Sequence, residues 1–327
     1  MPRSLMGIIL CLTLGGLLTS LTANAQQPSK VCRIGFISSS VTSVSHASLE
    51  GLRQGLRELG YEEGKNLTIE YRFGTNKALP RLAAELVQLP VDVIVADGSE
   101  GIEAARQSTH TIPIVMTNSG NAVREGFVAS LERPGGNITG LTQISPELAP
   151  KRLQLLKDTV PGLSQLAVLW HPLHPNTPHT FAETRAASQQ FGLPLLSLEV
   201  KEPEDFDAVF ATAIAHQVTA LIVLRDPFMV RHRTRIAELA QQHRLPAMYE
   251  TRDFLEAGGL MAYGPNLAVL YRQSASYVDK ILKGAKPGDL PVQRPLTFEL
   301  VINLKAARAI GLTIPQGLLV QATDVIQ

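Results

Sequence analysis

The sequence predicts an α/β protein of two doubly wound lobes, on three observations. Short apolar runs that end in small polar residues alternate with segments whose leucines fall at helical spacing. Strands alternating with helices in this way build parallel sheets covered on both faces. The rhythm also restarts after Ser145-Pro146, which calls for a second sheet.

The elements follow in order. Val31 to Ser38 reads as a strand, and Leu49, Leu52, Leu56 and Leu59 read as a helix stopped by Gly60. Leu67, Ile69, Tyr71 and Phe73 alternate with polar residues as a strand does, and Leu79, Leu82 and Leu86 return to helical spacing. Val91 to Ala96 is a buried strand that Asp97-Gly98-Ser99 leads into a helix, and Ile112 to Met116 is the next strand. A helix around Val123 to Leu131, the turn Arg133-Pro134-Gly135-Gly136 and a strand from Ile138 to Leu141 complete the first run. In the second run, strands are expected at Leu166–Trp170, Leu195–Leu198, Ala220–Leu224, Ala247–Tyr249, Leu260–Tyr263 and Phe298–Ile302. Helices are expected around Leu153–Val160, Thr177–Phe191, Asp205–His216, Val230–His243, Asn266–Lys283 and Leu304–Ile310.

The N-terminus carries Arg3, an uncharged apolar stretch from Leu5 to Leu21, and the small-x-small pattern Ala23-Asn24-Ala25. That order reads as a secretory signal (residues 1–25) cleaved near Ala25 rather than as a spanning anchor, and implies export to the periplasm. Cleavage removes Cys11 and leaves Cys32, so no intramolecular disulfide is expected and Cys32 should be a buried, inert thiol. The formal net charge is +1 with 18% charged residues and no basic stripe, which argues against nucleic acid and anionic membrane surfaces as partners. No second stretch is long and apolar enough for a membrane span.

In doubly wound sheets ligands lie beyond the carboxyl ends of the strands. Those ends read Ser38-Ser39-Ser40, Asp97-Gly98-Ser99 and Thr117-Asn118-Ser119 in the first run, and His171, Asp226 and Tyr249-Glu250 in the second, with Asn176 a little further on. Each is an ordinary helix-capping residue taken singly. As a set from both lobes they mark a ligand cleft, with Arg225 able to meet a carboxylate and Asp226 or Glu250 an amine. His171, His174 and His179 lie in a proline-rich loop without the spacing of a zinc site, and no metal or cofactor is expected. Ser99 directly follows Gly98, so it is not a Gly-x-Ser-x-Gly nucleophile, and no dinucleotide or phosphate loop follows the first strand. No catalytic set can be assembled, so the chain is not expected to be an enzyme.

Five ordered segments carry a resemblance over nearly the whole exported chain. They are Arg133-Pro134-Gly135-Gly136-Asn137-Ile138-Thr139-Gly140, Lys151 to Lys157, Gly258-Gly259-Leu260-Met261-Ala262-Tyr263-Gly264, Tyr277 to Ala285, and Phe298 to Lys305. Together they resemble the ABC-transporter substrate-binding proteins of the tryptophan/tyrosine-binding type. The resemblance implies a type I periplasmic-binding-protein fold: two Rossmann-like lobes joined by a hinge of several crossing strands, near Thr139–Ser145, Tyr263–Pro265 and Pro287–Thr297. It implies a first lobe of 31–143 plus 265–285 and a second of 144–264 plus 296–327. It further implies a monomer that binds a small molecule, aromatic amino acids among the ligands of relatives, and delivers it to an ABC permease in the inner membrane. A secreted sensor subunit, or less readily an exported enzyme on the same scaffold, is the alternative. The family often has Asn-Pro where this chain has His171-Pro172.

Overall fold

A computed structural model describes residues 31–39, 46–143 and 148–327. The expected signal segment, Ser40, and the Ser145-Pro146 boundary lie outside the described residues.

The first sheet contains β1 (Cys32–Ser38), β2 (Leu67–Phe73), β3 (Val93–Asp97), β4 (Ile114–Asn118) and β5 (Ile138–Gly140), all parallel, in the order β2-β1-β3-β4-β5. Helices α1 (His46–Glu58), α2 (Leu79–Gln88) and α3 (Gly98–Ser108) connect the first four strands. The central strands β3 and β4 are buried along their whole length because both faces are covered, while in the edge strand β2 apolar residues alternate with the half-buried polar residues Thr68, Glu70 and Arg72. Ile34, Phe36, Val93 and Val95 pack with Leu52 and Leu56 of α1. Their neighbours Ile37, Ile94 and Ala96 pack on the other face with Leu82, Leu86 and Ile102 of α2 and α3. Burying each such aliphatic side chain stabilises the fold by about 1.5–3 kcal/mol.

No helix forms around Val123–Leu131. Asn121 Oδ1 accepts the Arg124 N–H at 3.1 Å and Glu125 Oε1 accepts the Asn121 N–H at 2.8 Å, which closes one turn. Gly126 then ends it at φ +71°, and Phe127 and Val128 drop onto the sheet. The apolar spacing there comes from a loop that covers the core.

The second sheet contains β6 (Leu166–Trp170), β7 (Leu195–Glu199), β8 (Ala220–Val223), β9 (Ala247–Tyr249), β10 (Met261–Pro265), β11 (Phe298–Asn303) and β12 (Asp324–Ile326), in the order β12-β11-β10-β9-β8-β6-β7. Its helices are α4 (Ala149–Thr159), α5 (Thr177–Gln190), α6 (Asp205–Ala215), α7 (Pro227–Arg231), α8 (Arg233–Gln242), α9 (Asp253–Glu256), α11 (Leu304–Ala309) and α12 (Gln316–Gln321). One departure from an all-parallel sheet is that β11 runs antiparallel to β10. The cause is the path of the chain: after β10 it leaves for the first sheet and re-enters the second from that side.

The element that leaves is α10 (Leu267–Leu282), whose Leu270, Tyr271, Tyr277 and Val278 belong to the core of the first sheet. Gly51 and Gly55 of α1 let α10 lie close: a β-carbon at either would stand 2.4 Å from a backbone oxygen of α10. The chain then runs beside the end of β5, where the Gln293 N–H reaches the Gly140 oxygen and the Thr142 N–H the Gln293 oxygen, both at 3.0 Å. Cys32, expected to be buried, is half-buried at the margin of this core. Among the described residues, no helix is long and apolar enough to cross a membrane.

Candidate functional site

Both sheets have a point where the chain reverses its direction of winding. In the first it lies between β1 and β3, and in the second between β6 and β8. A crevice opens at such a point, beyond the strand ends. Here the two crevices face one cavity, lined from the first sheet by Ser39, Asp97, Ser99 and Asn118 and from the second by Asn176, Arg225, Asp226 and Glu250.

Asp97 ends β3 and is 6% exposed. Its Oδ2 accepts from Ser38 Oγ at 2.7 Å, while Oδ1 accepts from Asn118 Nδ2 at 2.8 Å, from Thr117 Oγ1 at 3.3 Å and from the Tyr271 hydroxyl. Burial pushes the Asp97 carboxyl above the usual range, against the pull of the Tyr271 and Ser38 hydrogen bonds and of Arg225. Tyr271 is driven well above its ordinary value, first by burial and then by Asp97. Gly98 follows at φ +69°, a backbone few other residues adopt, and this turns the chain sharply into α3. Asp97 spends no side-chain bond on capping that helix. The first turn of α3, Gly98 to Glu100, therefore lines the cavity at the positive end of the helix dipole, where the Glu100 carboxylate takes its own backbone N–H.

The opposite wall is built on ion pairs. Glu250 Oε1 takes Arg152 Nη1 at 2.6 Å, and its Oε2 takes the Arg225 N–H at 3.2 Å. Arg152 is 1% exposed and also donates from Nε to the Tyr263 oxygen at 2.8 Å. Asp226 caps α7 through the Met229 N–H at 2.7 Å and places Oδ2 3.1 Å from His171 Nδ1. Arg225 lines the cavity, with Nη2 3.7 Å from Asp253 Oδ2.

Two contacts join the walls at the outer rim. Asn176 Nδ2 donates to Ser99 Oγ at 2.7 Å, and His174 Nε2 meets Glu100 Oε1 at 3.0 Å. Burial lowers the His174 pKa, but the Glu100 charge and hydrogen bond outweigh it and leave the imidazole above its usual value. Burial likewise raises the Glu100 pKa, and His174 brings it net below the ordinary range. Each of the three histidines thus takes its own carboxylate: His171 Asp226, His174 Glu100, and His179, which stands on α5 rather than in a loop, Glu183 one turn on at 3.7 Å. Ser99 is held by an amide and His174 Nδ1 by the Asn176 N–H, so serine and imidazole do not form a nucleophile–base pair.

Of the residues read from the sequence, Ser39, Asp97, Gly98, Ser99, Asn118, Asn176, Asp226 and Glu250 line the cavity. Ser38 and Thr117 stand behind them as supports of Asp97, and His171 supports Asp226. Ser119 is buried and gives its backbone oxygen to the Gln143 N–H at 2.7 Å. Tyr249 points the other way, its ring fully buried and stacked on Phe254 at 4.7 Å. Sequence reading did not single out Glu100, Gly120, Asn121, Gln143 and Thr180 as lining residues, nor Arg152 and Tyr271 behind the walls. Glu100 alone had a local signal, lying in the first turn of the helix that Asp97 opens.

The fold agrees with what known proteins show. Over 79% of its own length and 82% of this chain, a tyrosine-binding protein from Clostridioides difficile is 23% identical. The crystal structure of a conserved domain protein from Vibrio cholerae, 29% identical, superposes with a TM-score of 0.85 over 90% of this chain and 100% of its own. An ABC domain in complex with L-Trp from Streptococcus pneumonia, 24% identical, does so with a TM-score of 0.82 over 90% and 99%. These likenesses give the type I periplasmic-binding-protein fold. The family model described as ABC transporter substrate binding protein matches residues 38–326, and the chain belongs to that family.

Proposed function

We propose that this chain captures a free amino acid in the cavity between its two sheets, in the periplasm, and presents it to the permease of an ABC importer. The observation that carries the reading is the pairing of opposite anchors in one cavity. Asp97 is a buried carboxylate held only by neutral donors, with acceptor capacity left on Oδ2 for an ammonium group. The first turn of α3 and the Arg225 guanidinium supply donors for a carboxylate. Two relatives are named for amino acids, tyrosine and L-Trp, which share these two groups. In this reading the lobes are 31–143 plus 265–285 and 144–264 plus 296–327, and residues 1–25 are the cleaved export signal. Ligand draws the lobes together only by its greater affinity for the closed arrangement. No bond is made or broken.

The test is native mass spectrometry of the gently purified protein, followed by thermal unfolding with added amino acids. A co-purified amino acid is expected, and ligand at 100 times its Kd should add about 2.7 kcal/mol to stability. Turnover of a substrate, with no amino acid raising the unfolding temperature, would sink the proposal.

A further inference from the structure

The anchors above recognise what all amino acids share, and the rest of the cavity faces the side chain. Among the described residues, every one that lines the cavity is polar or charged apart from Gly98, Gly120 and Pro227, and none carries a phenyl, phenol or indole ring. The aromatic rings near the strand ends are committed elsewhere. Tyr249 stacks on Phe254 in the core, and Phe228 packs against His171 at 4.7 Å and Phe206 at 5.9 Å. Trp170 stacks on Phe181 at 4.6 Å and donates to Ser197 Oγ at 2.9 Å. Residues 40–45 and 144–147 contain no Phe, Tyr or Trp.

The apolar surface beside the cleft, Leu79, Pro80, Ala104, Phe127 and Pro175, belongs to a separate hollow. The Asn176–Ser99 and His174–Glu100 contacts partition the two. Inside the partition the cavity keeps its polar lining. A phenyl ring placed there would take water from amides and carboxylates and return no hydrogen bond, a phenol or indole would return hydrogen bonds only from its one polar group, and none of them would find an aromatic face to stack on.

We infer that the cavity selects an amino acid with a short, hydrogen-bonding side chain and rejects aromatic ones, with Gln143 as a specificity-determining residue. The inference rests on the amino-acid reading above. Gln143 is 6% exposed, is fixed by its N–H on the Ser119 oxygen, and lines the cavity just past the end of β5.

The experiment is calorimetric titration of the ligand-stripped, full exported chain with L-asparagine, L-glutamine, L-serine, L-threonine, L-phenylalanine, L-tyrosine and L-tryptophan. At least one polar amino acid is expected to bind at least tenfold tighter than every aromatic one. An aromatic amino acid that binds within tenfold of the best polar one, or tighter, overturns the inference while leaving the amino-acid reading intact. Silence from all seven overturns the inference, while the amino-acid reading stands or falls on the mass-spectrometric test above. Gln143→Leu should weaken the best polar ligand at least tenfold while the unfolding midpoint without ligand stays in place. An unchanged affinity overturns the assignment to Gln143.

Discussion

The two walls of the cleft hold carboxylates by different means. On the first sheet Asp97 is surrounded by neutral donors, Ser38, Thr117, Asn118 and Tyr271. On the second, Glu250 is matched by Arg152, and Asp226 is shared between a helix cap and His171. Neutral donors orient a charge without cancelling it, so the first wall keeps a field for a ligand. An ion pair cancels the charge and fixes geometry, so the second wall is a frame. Substitutions on the two walls should therefore fail in different assays.

The largest effect is expected on the second wall. Arg152→Met removes the partner of Glu250 inside the protein and leaves an uncompensated buried charge, which costs about 3–5 kcal/mol. Urea denaturation should show this as a lower midpoint at unchanged slope. Adding Glu250→Gln should recover part of the loss, because the stranded charge is then gone. A loss under about 1 kcal/mol for Arg152→Met would mean that the pair does not hold the wall.

Asp97→Asn should do the reverse. The amide keeps an oxygen for Thr117, Asn118 and Tyr271, and the Ser38 hydroxyl can rotate to accept from the new NH₂. Stability should change by about 1 kcal/mol or less, while ligand affinity falls by about 1.5–3 kcal/mol, the worth of a hydrogen bond to a charged group. Calorimetric titration and unfolding of the same sample separate the two quantities. Equal losses in both would erase the contrast between the walls.

Sequence alone made the strand ends legible because the carboxyl end of a parallel strand is where apolar residues give way to polar ones, as at Ala96-Asp97 and Leu224-Arg225-Asp226. Which face of a strand end meets the cleft was not legible. Both faces of these sheets are buried, so the apolar run carries no alternation to mark one of them. Tyr249 and Glu250 are adjacent and both looked like cleft residues, yet the ring enters the core and the carboxylate the cavity. Tyr271 and Arg152 were invisible for another reason. Each sits inside an amphipathic helix, and its partner lies 174 and 98 positions away along the chain. Only the return of α10 to the first sheet, and the packing of α4 beneath β9, brings them behind the walls.

The rim where the walls meet should give the smallest effect and the one with a distinctive pH signature. His174 belongs to the second wall and Glu100 to the first, and Glu125 and Asp226 also face the imidazole. The His174 pKa is raised where the walls meet, so its contribution is complete below the ordinary histidine value of about 6.5 and is lost as pH rises through the raised value. The Glu100 pKa is lowered, so its contribution is complete above the ordinary glutamate value of about 4.3 and is lost as pH falls through the lowered one. Closure should therefore be helped most between about pH 4.3 and 6.5, and ligand should leave faster as pH climbs beyond that window. When the walls part both groups regain water, so removing one of them forfeits only the net worth of the contact, about 0.5–1.5 kcal/mol. Stopped-flow dissociation across pH is the measurement. Glu100→Gln should flatten the alkaline rise in off-rate, and a rise of unchanged size in that variant would place the titrating group elsewhere than at this rim.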